Sequence, residues 1–210
     1  MSEPVADRSG KSAGEIALWV ILALAIVALM GFAVADRMKR GAEGELQVYK
    51  ELPAFQLENR DGRPIGSAEL AGKPFIADFM FTSCPGVCPI LSKRMGELAR
   101  ELDLGRVNLV SFTVDPDTDH PPVLEAYAAK HQAPPQWYFL TGAKASLYAL
   151  IREGFQLVVD DSNQQQASDP ILHSNKFVLV DGSGRIRGYY NAFEPTELEQ
   201  LRRDLARLLR

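Results

Sequence analysis

Phe75-Ile76-Ala77-Asp78-Phe79-Met80-Phe81-Thr82-Ser83-Cys84-Pro85-Gly86-Val87-Cys88-Pro89 joins an apolar, aromatic run to the start of a helical pattern. The run to Phe81 reads as a buried strand. Leu91, Met95, Leu98 and Leu102 then recur every three or four residues, the stripe of an amphipathic helix. Cys84 and Cys88, the only cysteines of the chain, stand four apart at this junction. Two such thiols, once close, either share one soft metal ion or form a disulfide. A disulfide across so short a loop constrains the unfolded chain little, which marks a reactive pair rather than a staple. Pro85 suits the first helical position, where a missing N–H is no loss. Cys84 then falls at the helix cap and Cys88 one turn along, where unpaired N–H groups and the positive helix end favour thiolate. The plainer reading, two small core residues, fits poorly with a loop flanked by prolines.

Ahead of the junction, Phe55-Gln56-Leu57-Glu58 and Arg63-Pro64-Ile65 flank Asn59-Arg60-Asp61-Gly62, the pattern of a hairpin. After it come a helix over Cys88–Asp103, a strand over Val107–Val114, a helix around Val123–His131, a strand over Trp137–Leu140 and a helix over Ala145–Gly154. Strands Asn175–Val180 and Ile186–Tyr190 flank Asp181-Gly182-Ser183-Gly184, the clearest hairpin turn of the chain. A last helix begins at Pro195, with Leu198, Leu201, Leu205, Leu208 and Leu209 along one face. Strands alternating with helices imply a parallel core sheet, to which the second hairpin adds an antiparallel edge. A cysteine pair at the first strand-to-helix junction of such a unit predicts an α/β, thioredoxin-like fold behind an N-terminal β-hairpin. Here three residues rather than two separate the cysteines.

The 210 residues divide into a short tail (1–15), a transmembrane helix (16–35), a linker (36–52) and a single domain (53–210). Ile16–Ala35 carries no charge, and at roughly 1.5 Å per residue it covers a bilayer core of about 30 Å. Ala33-Val34-Ala35 resembles a cleavage site, but Glu3, Asp7 and Glu15 outnumber Arg8 and Lys11 ahead of the span. A signal peptide has a positive start, so an uncleaved anchor is expected. Arg37, Lys39, Arg40 and Lys50 follow the span, and by the positive-inside count they favour a cytoplasmic domain. From residue 41 on, 18 Lys and Arg face 23 Asp and Glu, which argues against nucleic acid, since that partner calls for a basic patch.

His120 lies in the turn-like Asp115-Pro116-Asp117-Thr118-Asp119-His120-Pro121-Pro122 and reads as a solvated loop residue. His131 ends a helix, where an imidazolium is favoured by the dipole. His173 precedes the strand Asn175–Val180, and a loop feeding such a strand can return beside the cysteines. Asp78, inside the apolar run, is either a buried carboxyl with raised pKa and a role in proton transfer or an ordinary polar-facing strand residue. Met80 reads as packing rather than as a soft ligand, and Lys93 and Arg94 as a solvated helix face. Asp115 ends the second core strand, where it either starts a turn or contacts the metal loop or the partner.

Several segments together resemble the Sco/SenC proteins. Phe79-Met80-Phe81-Thr82-Ser83-Cys84-Pro85-Gly86-Val87-Cys88-Pro89 is similar to their Phe-x-Phe-Thr-x-Cys-Pro-x-x-Cys-Pro signature. Val110-Ser111-Phe112-Thr113-Val114-Asp115-Pro116 resembles their Ser-x-Asp-Pro segment, and Trp137-Tyr138-Phe139-Leu140-Thr141-Gly142 their Trp-x-x-Leu-Thr-Gly. His173, followed by a strand and Asp181-Gly182-Ser183-Gly184, falls where the family histidine does. The resemblance implies a thioredoxin-like domain that binds copper through Cys84, Cys88 and His173 and serves assembly of the dinuclear copper centre of cytochrome c oxidase. It implies as partners the copper-acceptor subunit of that oxidase and a thiol reductant of the thioredoxin type. The expected setting is a bacterial cytoplasmic membrane with the domain on the extracytoplasmic side, against the charge count. Leu172 stands where many members carry Asp, and His120 where Thr is common.

Two thiolates and an imidazole suit copper, because sulfur selects Cu(I) and imidazole supports Cu(II). A structural zinc site would want a fourth protein ligand. Three ligands on an accessible loop fit a carrier that hands over its ion by ligand exchange, without turnover of a small substrate. The rival reading is a thiol–disulfide oxidoreductase in which Cys84 attacks and Cys88 resolves; a peroxidase fits less well, having no use for a second cysteine one turn away.

Overall fold

The computed structural model describes residues 13–42, 45–157 and 174–210 and falls into two units, Met1–Glu45 and Leu46–Arg210. In the first, helix α1 covers Ala13–Ala42, with Leu18, Leu24, Leu29 and Phe32 exposed. Among the described residues, no helix is long and apolar enough to cross a membrane. Of the expected anchor, the side chains at 20 and 33–35 lie outside the described residues, so the span at 16–35 falls partly beyond them.

The second unit runs β1 (Lys50–Glu51), β2 (Gln56–Asn59), β3 (Pro64–Gly66), α2 (Ser67–Leu70), β4 (Phe75–Met80), α3 (Val87–Glu101), β5 (Asn108–Thr113), α4 (Pro121–Lys130), β6 (Trp137–Thr141), α5 (Lys144–Ala149), β7 (Lys176–Val180), β8 (Arg185–Asn191) and α6 (Pro195–Leu208). The eight strands form one sheet in the order β1-β8-β7-β4-β5-β6-β2-β3. β4, β5 and β6 are parallel neighbours. β7 lies antiparallel on β4 and β8 antiparallel on β7, while the β2–β3 hairpin adds to the far edge through β6. The parallel centre and the antiparallel second hairpin are those expected from the alternation of elements.

Every residue of β4 and β5 is buried, as expected of strands covered on both faces. The register sets Asp78 beside Ser111, Phe79 beside Phe112 and Met80 beside Thr113. On one face Phe79 stacks on Phe112 with centroids 5.7 Å apart, and Phe155 meets both at 5.0 and 5.2 Å. On the other, Trp137 stacks on Phe139 at 5.0 Å, and Tyr127 of α4 comes edge-on to Phe139. Aromatic pairs so arranged add to what their burial alone contributes.

The structure departs from the sequence pattern in local detail. The helix expected over Ala145–Gly154 loosens into a π turn at Leu150–Gly154. The Phe155 N–H donates to the Leu150 carbonyl at 3.0 Å, which delivers Phe155 into the cluster. α4 starts two residues early because Pro121 and Pro122 occupy its first turn, where no N–H is needed. β1 falls in the stretch assigned to the linker, and α2 follows β3 directly; each is too short to show a period. Gly66, where β3 meets α2, has no room for a side chain, since a Cβ would lie 2.1 Å from the Phe55 carbonyl oxygen.

Candidate metal and thiol site

The cysteine loop leaves the C-terminal end of β4, the edge of an open α/β sheet where ligands ordinarily bind. The helix begins at Val87 with Gly86 as its cap, so Pro85 is not the first helical residue and Cys84 lies ahead of the cap. The expected capping survives in another form: the Cys88 N–H, one of the unpaired donors of the first turn, donates to Cys84 Sγ at 3.5 Å. Both thiols are free and buried, at 6% and 3% exposure. The accessible part of the loop is Ser83, Pro85 and Gly86, so the sulfurs sit beneath it rather than on it. Burial pushes the Cys88 thiol strongly up, and its hydrogen bond with Cys84 adds to the rise. The expectation of a helix-stabilised thiolate is thereby overturned for Cys88: desolvation outweighs the helix end.

Beneath the pair lies a buried polar cluster. Ser92 of α3 and Tyr127 of α4 share a hydrogen bond of 2.8 Å, and Trp137 Nε1 donates to Ser111 Oγ at 2.9 Å. Asp78 is fully buried, and neither of its carboxyl oxygens has a hydrogen-bond partner. Desolvation pushes its pKa up to about 7, with the neighbouring Ser111 hydroxyl working against the rise. The buried carboxyl, rather than the polar-facing one, is the alternative realised.

The loop is held from outside by a residue that the sequence reading did not single out. Asp119, fully buried, accepts from Thr82 N at 3.1 Å, from Thr82 Oγ1, and from Thr113 Oγ1 at 2.5 Å. It ties the start of the cysteine loop to the end of β5. The available signal was a third acid in the Asp-Pro segment, hidden behind the turn-forming look of its neighbours. Asp115 does start that turn, its carbonyl accepting from Thr118 and Asp119.

Met80 is buried in the core, as its strand position suggested. Lys93 is exposed, and Arg94 pairs with Glu97 at 2.9 Å. His120 caps α4 and is exposed. His131 does not behave as a helix-end imidazolium: its ring packs on Tyr127 at 4.5 Å, its Nε2 is buried without a partner, and burial pushes its pKa down. His173 lies outside the described residues, and among the described residues no cluster of three metal-ligating side chains forms.

The family model SCO1/SenC matches residues 44–210. The chain belongs to the SCO1/SenC family. A SCO1/SenC family lipoprotein from Bacillus anthracis is 34% identical in its solved structure, with a TM-score of 0.68 over 78% of this chain and all of that one. BsSco, a member of the Sco family of cytochrome c oxidase assembly proteins in which a disulfide switch was identified, is 29% identical, with a TM-score of 0.67 over 78% and 95%. Bradyrhizobium japonicum ScoI, solved with copper bound, is 25% identical, with a TM-score of 0.63 over 76% and 100%. These likenesses show the thioredoxin-like α/β fold of the Sco proteins for the domain described above.

Proposed function

We propose that this Sco-family chain is a membrane-anchored copper chaperone. Cys84, Cys88 and His173 bind the ion and deliver it to the dinuclear copper site of cytochrome c oxidase, or reduce the thiols that will receive it. The observation that carries the reading is the pair of free thiols where β4 ends, in a chain of a family whose members include a copper-bound structure. Sheet direction supports the third ligand: β7 runs antiparallel to β4, so the segment that enters β7 approaches from the end of β4 where the cysteines lie. Two thiolates and an imidazole make a donor set suited to copper in either oxidation state. Residues 1–15 form a tail, 16–35 the anchor and 36–52 a linker, with domain 53–210 on the extracytoplasmic side of a bacterial inner membrane. There a thioredoxin-type reductant keeps the pair reduced.

Copper titration of the full chain in mild detergent, followed by absorption and EPR, tests this. Tight one-to-one binding is expected for the reduced protein only, with a sulfur-to-copper charge-transfer band for Cu(II). Changes outside the ligand shell cost metal sites about 10- to 100-fold in affinity, so His173→Ala should weaken Cu(II) binding by about 100-fold or more. Unchanged affinity would remove His173 from the site. A second reading, disulfide exchange on exported proteins without a carrier role, is favoured by the free buried pair itself. Absence of copper binding alongside fast exchange with a thioredoxin would promote it.

A further inference from the structure

Where the chain enters the domain, it crosses the end of the sheet opposite the cysteines. The Leu52 N–H donates to the Gly184 carbonyl at 2.9 Å, and the Gly72 N–H to the Gly182 carbonyl at 2.8 Å. Phe55 and Ser67 are tied both ways, the Phe55 N–H to Ser67 Oγ and the Ser67 N–H to the Phe55 carbonyl, each at 3.0 Å. These bonds link the entry segment, α2 and the β7–β8 turn around Phe75, the first residue of β4. They enclose a cavity of about 260 Å³. Backbone rather than movable side chains holds its wall: at Gly182 a Cβ would lie 2.9 Å from the Gly72 backbone. The cysteines follow β4 at its far end, so the strand, roughly 17 Å at about 3.3 Å per residue, separates this cavity from the thiols.

The floor is apolar. Leu70 and Phe75 are buried there, with Leu52 and Phe55 half-buried beside them. An apolar cavity of about 150 Å³ takes up benzene, so this one has room for a ring with a short tail. Its charged lining residues are both acids, and no lysine or arginine is among them. Asp181 is already spent, because its carboxylate accepts from the Ser183 and Arg185 N–H groups and from the guanidinium groups of Arg185 and Arg187. Glu51 is not spent: it is exposed at the mouth, and no cation pairs with it among the described residues. The Ser183 hydroxyl, also in the lining, makes no hydrogen bond among the described residues.

We propose that this cavity is a binding site for a small aromatic amine. The ring lies against Phe55, Leu70 and Phe75, and the ammonium group meets the Glu51 carboxylate and the Ser183 hydroxyl. A carboxylate on the same ring would face Glu51 with no base in the lining to receive it. The site is independent of the copper reading, since none of Cys84, Cys88 and His173 lines it, and failure of either leaves the other standing.

The test is a titration of the full-length, metal-free, reduced and 15N-labelled chain in mild detergent with 2-phenylethylamine, followed by amide NMR. Saturable shifts are expected at Ala54, Ala71 and Gly182–Gly184, with a Kd of about 1 mM, ordinary for a ligand of roughly nine non-hydrogen atoms. The Cys84 and Cys88 amides should stay in place. The neutral 2-phenylethanol should bind about three- to fivefold more weakly, the range of one exposed ion pair, and phenylacetate about tenfold more weakly or worse. Glu51→Gln should bring the amine to within about twofold of the alcohol. Ala54→Trp, which fills the mouth from an exposed position, should abolish the shifts. Shifts confined to α1, which report partition into the micelle, overturn the proposal, as does the lack of saturation by about 20 mM. Phenylacetate binding as tightly as the amine overturns the ligand class, and shifts that persist in Ala54→Trp overturn the location. If Ala54→Trp does not fold, the wild-type shift map and the Glu51→Gln comparison still decide.

Discussion

Replacing Asp78 should reverse part of the protein's pH dependence of stability. The carboxyl titrates from the ordinary 3.8 in the unfolded chain to about 7 in the folded one, with burial as the main cause. Between those values the native state holds a proton that the unfolded state has released. Stability therefore falls as pH rises from about 4 to about 7 and levels off above, where both states are ionised. At about 1.4 kcal/mol per unit, a rise of some three units amounts to roughly 4 kcal/mol. That is a large share of a typical 5–15 kcal/mol total. Other groups titrate over the same range, so the quantity to follow is the difference between Asp78→Asn and wild type, in which they cancel. Urea unfolding of both full-length chains in the same detergent, at unit steps from about pH 4 to about pH 8, gives it. The variant should gain roughly 4 kcal/mol on the wild type across that range. A difference that stays flat to within about 0.5 kcal/mol would refute the claim that Asp78 is buried as an unpartnered acid.

Asp119→Ala removes the acceptor for Thr82 N, Thr82 Oγ1 and Thr113 Oγ1. Bonds to a charged partner contribute about 1.5–3 kcal/mol each, so the three lost together point to roughly 5 kcal/mol or more in urea unfolding, with weakened copper binding because the loop start is released. Gly66→Ala should destabilise by about 2 kcal/mol or more, since its Cβ meets backbone rather than a movable side chain; a melting temperature within a degree of wild type would contradict the contact. In a Cys84→Ser chain, alkylation of Cys88 by iodoacetamide should follow a midpoint above the usual thiol value of about 8.5, because burial raises it even without the Cys84 hydrogen bond. A midpoint at or below that value would mean that the helix end wins after all.

The order of the core elements was legible because each has a period or a boundary marker. Phe75–Phe81 is apolar throughout, α3 shows its leucine and methionine stripe, and Asp181–Gly184 is an unmistakable turn. What could not be read was whatever depends on contacts far along the chain. Asp119 looks like one more turn residue until β5 brings it against Thr82, 37 positions away. Asp78 admitted two readings because a strand residue's face is fixed by what packs over it, here α3 and α4. Cys88 was misjudged for the same reason: its place near a helix N-terminus is local and visible, while the burial that outweighs it comes from the whole domain. The two-residue β1 and four-residue α2 carry too few positions for any pattern, and the π turn that precedes Phe155, which packs against Phe79 and Phe112, has no local marker.

The same burial bears on how a metal cargo would be taken up. A thiol held protonated by desolvation must give up its proton before its sulfur can coordinate, so uptake by this site is an exchange of protons for an ion. At neutral pH the Cys88 proton is present in full, because its thiol lies well above its ordinary range. At least one proton should therefore leave for each ion bound, and the apparent affinity should rise about tenfold per pH unit. Titrating the reduced full-length chain with copper in two buffers of different ionisation enthalpy counts those protons directly. A count near zero at about pH 7, with an affinity that does not change with pH, would mean that both sulfurs are already ionised. The buried thiol described for Cys88 would then be wrong.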